Sequence, residues 1–571
     1  MIKYITVLIL FTCNAWIFPQ EMSRQQLDQI FNDYLKIKNV NIESKTTTHE
    51  HIKCGFSQAS SVRLYFNSFT PEQQQILKPL LLQPGLQASI VSPSGFFRIH
   101  YDTVATQSGD NRPKYYTSAD LLHYSVNDLI KIYIDSVAIA ADSAYNFEIN
   151  FLGYPPPPPD NGEGGDNKYD IYIVNLGDVY GFTQWEFTSG TGPSYMEVNN
   201  DFTGFPTLGI NAVRVTVAHE FHHGIQVGNY IYRDADAWFH ELTSTSMETF
   251  VYNSIKDYYN YLSNYFDTPE RSIAENDINA GDGYDLAIWN IFQRDKFGYD
   301  IIKRDWELMP SERAITAISQ GITEKNASFS QALNEFGAWV YFTNTRAVAK
   351  TYFSEALNYP LIKFPLGNTS NNFTPPTDTI NNVNYPVSNN FFMIKIPLAA
   401  MTDTIISVIT NSDVNAAINS TSSSLPFQYI VSNNSVPGSN NLLDRYYAKI
   451  TTSSGSWYNS EILNGGWLGT DKVYNTSADF PFPSPFNYGY AYMNIPVDQS
   501  AVGFVDMSVY TMGMGTVFSS NMPVSKLNNV KNVIQWNGKS NSQKRLASGI
   551  YIVAIKSGDN VKTYKIVIFN E

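Results

Sequence analysis

Two histidines four residues apart, with a glutamate directly after the first, restrict most strongly how this chain of 571 residues can fold. They occur in the segment Ala218-His219-Glu220-Phe221-His222-His223. On an α-helix, residues four apart lie on one face, so His219 and His223 can direct imidazole nitrogens at the same ion while Glu220 reaches its open coordination position. The spacing predicts a helix that holds zinc with three protein ligands and a water. The alternative is a core helix whose histidines make only hydrogen bonds.

The residues around this motif are typical of a buried helix. Asn211 is a good N-cap residue, and Gly228 ends the pattern. Apolar residues recur on one face between them, at Val213, Val217, Phe221 and Ile225. We therefore expect the motif to lie on a core helix from about residue 211 to residue 228.

The third metal ligand is predicted farther along the chain, where Glu241 follows His223 by eighteen residues. Glu241 and Glu248 are seven residues apart and therefore lie on one helix face. We assign Glu241 as the ligand and Glu248 as the group that accepts the second ring N–H of a ligand histidine. His222 and His240 are rival ligands, but each is out of phase with the face that the other residues define. Alternatively, Glu241 is an exposed carboxylate at a helix start.

Segments on both sides of the motif form a wider pattern. They are Ser92 to Tyr101, Leu152 to Pro159, Lys168 to Ile173, Tyr180 to Thr183, Met196 to Phe202 and Phe336 to Trp339. With the motif, these segments resemble the secreted bacterial metalloproteases of the gluzincin type over about residues 92 to 345. The family usually has Phe-Phe-His and Gly-Thr-Ala where this chain has Phe221-His222-His223 and Leu242-Thr243-Ser244. Neither departure removes a ligand.

The resemblance implies an α+β zincin-like catalytic domain, built from a mixed twisted sheet and a helical half, with Zn²⁺ as its cofactor. Zinc would polarise the scissile carbonyl of a protein or peptide, and Glu220 would be the general base. Tyr284 begins an apolar helix after a glycine-rich turn and is the candidate donor to the oxyanion; the alternative is a tyrosine that only packs the helical half. Substrate should lie extended along the strand Gly181 to Trp185, which we expect at the sheet edge.

A zinc endopeptidase is therefore the function that the sequence favours. Two alternatives belong to other classes. One is a catalytically inactive surface adhesin on a protease scaffold, against which the intact Glu220 argues. The other is a zinc hydrolase that does not cut peptide bonds, and cleavage of an amide substrate distinguishes the two hydrolases.

Changes in composition predict the domain organisation. Residues 1–15 have the charged start, short apolar run and small residues of a signal peptide. Residues 16–90 form an N-terminal pro-like segment, and residues 91–350 form the catalytic domain. Beyond these, Asn, Ser, Thr and Pro with short alternating strands predict all-β sandwich domains over residues 360–500 and 501–571. The last module resembles sorting domains of type IX secretion, so secretion machinery is a candidate partner; a purely structural sandwich is the alternative.

The overall charge argues against one class of partner. The chain has 52 acidic and 38 basic residues, for a net charge of −14. Such a balance disfavours binding to nucleic acid. No apolar run after the predicted leader is long enough for a membrane helix. We expect a secreted or cell-surface protein with no stable membrane span.

Two further segments carry candidate ligands. Cys54 is the only cysteine after the predicted leader, and Lys53-Cys54-Gly55 resembles the Arg-Cys-Gly latency signal of matrix metalloproteases. Because a thiolate is a soft zinc ligand, Cys54 would replace the water on zinc and keep the site latent. A small buried apolar residue is the alternative. The loop from Asp160 to Asn167 has oxygen atoms spaced for Ca²⁺, with a solvated glycine-rich turn as its alternative.

Overall fold

The computed structural model of the chain divides into two units. The first comprises Met1–Tyr265 and Ala274–Lys325, and the second comprises Phe266–Ile273 and Asn326–Glu571. The structure describes residues 22–40, 52–106, 109–114, 119–187, 190–278, 281–348, 350–365, 367–370, 377–398, 401–419, 425–433, 446–451, 457–463, 466–468, 481, 486–488, 492–498, 500–527, 531–558 and 560–570. The predicted signal peptide, residues 1–15, lies outside the described residues.

The first unit combines helices and strands along its whole length. The helices up to residue 324 are α1 (Arg24–Ile37), α2 (Phe56–Leu64), α3 (Pro71–Leu80), α4 (Val126–Tyr145), α5 (Gly209–Asn229), α6 (Ala237–Val251), α7 (Leu262–Asp267), α8 (Ala287–Phe297), α9 (Asp300–Leu308) and α10 (Ala314–Glu324). The strands are β1 (Ile52–Cys54), β2 (Ala88–Val91), β3 (Phe97–Tyr101), β4 (Tyr169–Val174), β5 (Val179–Trp185) and β6 (Ser194–Asn199). This mixed region with a helical middle confirms the α+β class at the coarse level.

The strands of this unit form one mixed sheet in the order β1-β5-β6-β4-β3-β2. β1 pairs in parallel with β5, with Cys54 opposite Gly181, whereas β5 and β6 are antiparallel. The prediction that β5 is the edge strand is contradicted by this order, because β1 lies outside it, although β1 pairs only with residues 179–181 and so reaches only Gly181 of the predicted segment. The sequence pattern did not show this, since β1 belongs to the segment that was predicted to precede the catalytic fold.

Helix α5 packs on one face of the sheet, over β5 and β6. Successive side chains of a strand point to opposite faces. Thr183 donates to the Glu220 carbonyl on α5, whereas the neighbouring Phe182 packs with Tyr34 and Leu35 of α1. Helices α1, α2 and α3 therefore cover the face opposite α5, and their apolar residues share a core with β4, β5 and β6.

The helix that carries the motif begins earlier than expected. α5 starts at Gly209, and its N-cap residue Leu208 makes no side-chain capping bond. Asn211, the predicted N-cap, lies inside the first turn, where its side chain accepts a hydrogen bond from Arg214 at 3.1 Å. Gly209 has a φ of +59°, a conformation that glycine adopts readily, so the chain can turn into the helix without a capping side chain.

The second unit is rich in strands. Its described elements are α11 (Phe329–Tyr341), α12 (Val414–Asn419), β7 (Thr369–Ser370), β8 (Thr377–Asn384), β9 (Ser388–Leu398), β10 (Met401–Asn411), β11 (Leu425–Asn433), β12 (Tyr446–Thr451), β13 (Trp457–Leu463), β14 (Gly466–Leu468), β15 (Phe486–Asn487), β16 (Met493–Pro496), β17 (Phe504–Thr511), β18 (Thr516–Pro523), β19 (Ser525–Leu527), β20 (Lys531–Trp536), β21 (Gly549–Ser557) and β22 (Asn560–Phe569). The sheets are β14-β13-β10-β9-β7, β12-β11-β8, β15-β22-β21-β17-β18 and β16-β20-β19. A strand-rich C-terminal region is thus confirmed.

Two boundaries in this unit differ from the sequence interpretation. α11, which was expected in the helical half of the catalytic domain, packs against β9, β10 and β13. A Cβ atom on Gly337 would lie 2.8 Å from Val408 Cγ1, so this glycine permits the close approach of helix and sheet. The last core also includes Phe486, Met493 and Ile495, which precede the expected boundary at residue 501. Within the described part of the chain, no helix is long and apolar enough to cross a membrane.

The buried ion pair between Lys38 and Glu197 joins the end of α1 to the sheet. Lys38 Nζ lies 2.6 and 2.9 Å from the two carboxylate oxygens. Lys38→Met would leave the buried carboxylate without its cation, so we expect the free energy of unfolding to fall by about 3 kcal/mol. Lys36→Met, at an exposed position of α1, is the control. Chemical denaturation measures both, and equal losses would contradict the role of the ion pair.

Candidate metal centre

Four buried side chains of the first unit form a group that could hold one metal ion: Cys54, His219, His223 and Glu241. Their donor atoms all lie within 4.8 Å of one another, and none of the residues is more than 2% exposed. Successive turns of α5 supply the histidines, α6 supplies the glutamate and β1 supplies the cysteine. The structure thus brings together the three predicted ligands and the thiol that was predicted to replace the water.

The distances between donor atoms match those around a tetrahedral zinc ion. His219 Nε2 lies 3.1 Å from His223 Nε2 and 3.1 Å from Glu241 Oε2, while His223 Nε2 and Glu241 Oε2 are 3.5 Å apart. Bonds of about 2.0–2.1 Å from zinc to nitrogen or oxygen place two such ligands about 3.3 Å apart.

The thiol fits the same arrangement. Cys54 Sγ lies 3.5 Å from His223 Nε2. With a zinc–sulfur bond of about 2.3 Å, a tetrahedral ion places sulfur and nitrogen about 3.6 Å apart. The chemical types of the donors and these four distances fit zinc, and all four donor atoms lie within 4.8 Å of one another.

Each histidine is oriented by a hydrogen bond from its other ring nitrogen. His219 Nδ1–H donates to Glu248 Oε1 at 2.8 Å, and His223 Nδ1–H donates to Gln226 Oε1 at 2.8 Å. Ser244 Oγ lies 3.2 Å from the same nitrogen of His223. These contacts leave both Nε2 lone pairs free for an ion. Glu248 thus lies where the sequence placed it, behind a ligand histidine.

A buried cation connects this second layer of contacts to β1. Lys53 Nζ lies 3.0 Å from the Glu248 carboxylate and also pairs with Asp257. Burial alone would lower the pKa of Lys53, but the charges of Asp257 and Glu248 hold it well above its ordinary value. Lys53 therefore stays charged, and it fixes β1 beside the group that orients His219.

Glu220, one residue after His219 on α5, is held by a side chain of β5. Thr183 Oγ1 is 3.0 Å from Glu220 Oε2, and the Glu220 carboxylate lies close enough to the Cys54 thiol for the two groups to affect each other's pKa. Burial raises the pKa of Glu220, although His219 and His223 act in the opposite direction. The Cys54 thiol therefore lies near both His223 Nε2 and the Glu220 carboxylate.

Charges within the group are balanced by protons when no ion is bound. Burial would raise the pKa of Glu241, but His223 and His219 lower it to about 2. Burial would lower the pKa of His219, but Glu241 and Glu248 raise it to about 9. At neutral pH a carboxylate thus faces an imidazolium, and a metal ion must displace that proton when it binds.

Tyr284 lies beside the metal ligands. It is buried, its ring centroid is 6.3 Å from that of His219, and its hydroxyl has no hydrogen-bond partner among the described residues. Burial raises its pKa well above the ordinary value, and the charge of Glu241 adds to this effect. Gly283, at a φ of +92°, allows the close approach: a Cβ there would lie 2.5 Å from the Trp238 carbonyl oxygen.

The two rival histidines lie outside the donor group. His222 Nδ1 contacts Glu148 Oε2 at 2.7 Å, and His240 Nδ1 contacts Gln226 Oε1 at 2.9 Å. Burial lowers the pKa of both imidazoles well below the usual value. They are neutral core residues, although the Gln226 oxygen that holds His240 also holds the ligand His223.

In the loop that was predicted to bind calcium, one carboxylate already pairs with protein cations. Asp166 Oδ2 lies 2.5 Å from Arg98 Nη2 and 2.5 Å from Lys168 Nζ, so this carboxylate already has two cations. Asp160 lies close to Asp170, and burial raises the pKa of Asp170 to about 6. Calcium binding stays a prediction for this loop.

Sequence reasoning missed the residues that support the ligands. Thr183 and the pair of Lys53 with Asp257 have no fixed spacing to the histidine motif, because they reach it through the fold. Gln226 carried one usable signal, since it lies three residues after His223 on a helix and can therefore reach it. Lys53 carried a second usable signal, because it is a charged residue in a segment that is otherwise strand-like.

Comparison with protein-family models finds no match for this chain, and comparison with curated proteins finds none either. The candidate metal centre is therefore defined by its residues and their geometry.

The two carboxylates of α6 should have unequal effects on metal affinity. Glu241→Ala removes a donor atom, so we expect stoichiometric zinc binding to be lost. Glu248→Gln weakens only the orientation of His219, so we expect zinc affinity to fall by about 10- to 100-fold. Glu307→Gln, at an exposed carboxylate of α9, is the matched control. Competition with a zinc chelator measures all three, and a larger loss for Glu248→Gln than for Glu241→Ala would reverse the two roles.

Proposed function

We propose that this protein is a zinc-dependent endopeptidase of zincin-like fold. One observation carries the proposal: two histidines and a glutamate converge on a single point, with a second buried glutamate, Glu220, beside that point. Two histidines, one glutamate and a water form a ligand set of catalytic zinc sites, whereas purely structural sites rarely keep an acid–base group at the metal. The resemblance to gluzincin metalloproteases supports the same assignment.

Zinc, when bound, supplies Lewis acidity for the scissile carbonyl and lowers the pKa of a coordinated water. The chain supplies the remaining functions. His219, His223 and Glu241 hold the ion, and Glu248 keeps the His219 ring oriented toward it. Glu220 accepts a proton from the water and later delivers it to the leaving amine, with Thr183 fixing its carboxylate.

Tyr284 is the donor that we assign to the developing negative charge on the carbonyl oxygen. Its hydroxyl is buried next to the site and makes no other hydrogen bond in the described structure, so it is free to donate. A donor that is already in place needs no reorganisation during the reaction, which makes such groups effective. The alternative of a tyrosine that only packs a core leaves this buried hydroxyl unexplained.

The final sheets fit a role outside catalysis. The strands from β15 to β22 contribute to a core of their own, separate in sequence from every proposed ligand. We propose that they form a sandwich module for sorting or attachment. A zinc hydrolase acting on a bond other than a peptide bond is the second candidate, and cleavage of an unfolded protein substrate separates the two.

Glu220→Gln should retain zinc but lose hydrolysis, because the amide fills the same space without accepting a proton. We expect hydrolysis of an unfolded protein substrate to fall by about 10² to 10⁴. The measurement uses full-length chains before and after limited proteolysis, with zinc content determined in parallel and Glu307→Gln as the matched control. Wild-type activity together with stoichiometric zinc in Glu220→Gln would contradict the mechanism.

Tyr284→Phe should lower kcat by about 10² while KM and zinc content stay unchanged, because only the donor to the transition state is removed. Tyr261→Phe is the matched control, since its ring packs 5.6 Å from that of Tyr284. Equal kcat values for wild type and Tyr284→Phe would mean that Tyr284 only packs the core and does not act as the donor.

A further inference from the structure

The strand that carries Cys54 crosses the centre of the proposed active site. Cys54 Sγ is 3.5 Å from His223 Nε2, and the thiol interacts electrostatically with the Glu220 carboxylate. A catalytic zinc needs one coordination position for water, whereas here the protein fills all four. A site closed in this way would bind zinc well, but it would hold no coordinated water to act as the nucleophile.

The residues on either side of Cys54 hold the thiol in place. Phe56 stacks on the His223 ring, with centroids 3.9 Å apart. A Cβ on Gly55 would lie 2.7 Å from Ile37 Cδ1 and 3.2 Å from Phe182 Cβ, so only glycine allows the strand to come this close. With Lys53 paired to Glu248 and Asp257, residues on both sides of the thiol are held by packing or by ion pairs.

β1 also takes the place along the sheet that an extended substrate would need. It pairs with β5 from Val179 to Gly181, and the Gly55 amide donates to the Gly181 carbonyl at 3.0 Å. A peptide that adds a strand to a sheet uses these same backbone groups. Metal access and strand pairing are thus closed together by one segment.

We propose that the described residues 22–40 and 52–82 belong to an intramolecular inhibitor, with Cys54 as the fourth ligand of the metal, and that β1 must leave β5 before substrate can bind. The inference rests on the proposed zinc peptidase function. On release, Cys54 would take one proton from solvent as its thiolate leaves the donor group, and one coordination position of a bound ion would become free for water. The exchange needs neither an oxidant nor a reductant.

The structure gives this segment a point at which it can be detached. It ends near the exposed Leu82, and Gly85 lies in open space ahead of β2. A cut there leaves the donors on α5 and α6 intact. Because the segment would no longer be tethered, its effective concentration at the site would fall from about the millimolar range on dilution.

The coordination half of the proposal is tested by cobalt substitution in the full-length protein. Cobalt bound to a thiolate shows a sulfur-to-metal charge-transfer band, so we expect this band in wild type and in Cys13→Ser. Cys54→Ser should lose the band while it still binds one cobalt through the two histidines and Glu241. A wild-type spectrum without the band, or a band that persists in Cys54→Ser, would overturn the assignment of Cys54.

The inhibitory half is tested by cutting the full-length chain after residue 82 at an engineered protease site. After dilution, we expect the charge-transfer band to disappear and hydrolysis of an unfolded protein substrate to rise by at least about tenfold. Glu220→Gln, cut in the same way, should lose the band without gaining activity. If the cut chain keeps the band and shows no hydrolysis, β1 is a permanent strand of the fold and the inhibitor proposal is wrong.

These results separate the two proposals. If cutting removes the band and opens the site but no peptide is hydrolysed, the peptidase function fails while Cys54 stands as a displaceable ligand. If the uncut chain lacks the band and is already as active as the cut chain, the inhibitory role of the segment is wrong and the peptidase function is supported. Absence of stoichiometric cobalt binding would overturn both.

Discussion

The convergence of four donor atoms at one buried point is the constraint on which the rest of the first unit depends. His219 Nε2 and His223 Nε2 lie 3.1 Å apart, with the Glu241 carboxylate and the Cys54 thiol around them. Lone pairs that face one another in a dry interior repel unless a proton or a cation lies between them. In our proposal a single zinc ion would satisfy all four donors, and this would explain why two turns of α5, a turn of α6 and the end of β1 are held in register.

The surrounding structure connects this centre to the N-terminal segment. Glu248 orients His219, Lys53 neutralises Glu248, and Lys53 belongs to the strand that carries Cys54. Behind that strand, α1 to α3 pack on the free face of the sheet. Ligand geometry, strand pairing and burial are therefore coupled, and in our proposal detachment of the segment would expose the metal site and the edge of β5 together.

The sequence predicted the parts of this site that depend on local spacing. His219, Glu220 and His223 follow from one helical repeat, and Glu241 and Glu248 follow from a second helix face. Its errors concern contacts that only the fold creates: β1 outside β5, and α11 packed on strands of the second unit. Cys54 could be predicted as a ligand for a chemical reason, since a lone thiol is a strong zinc ligand. Its spacing in the sequence could not place it 3.5 Å from His223.

X-ray absorption at the zinc edge of the full-length protein tests the central claim most directly, because it reports the atoms bound to the ion without any assay of activity. The account predicts one zinc per chain with one sulfur at about 2.3 Å and three nitrogen or oxygen atoms at about 2.0–2.1 Å. A stoichiometric zinc surrounded only by nitrogen and oxygen would contradict the closed centre described here. Failure to bind zinc at all would contradict the assignment of the metal site itself.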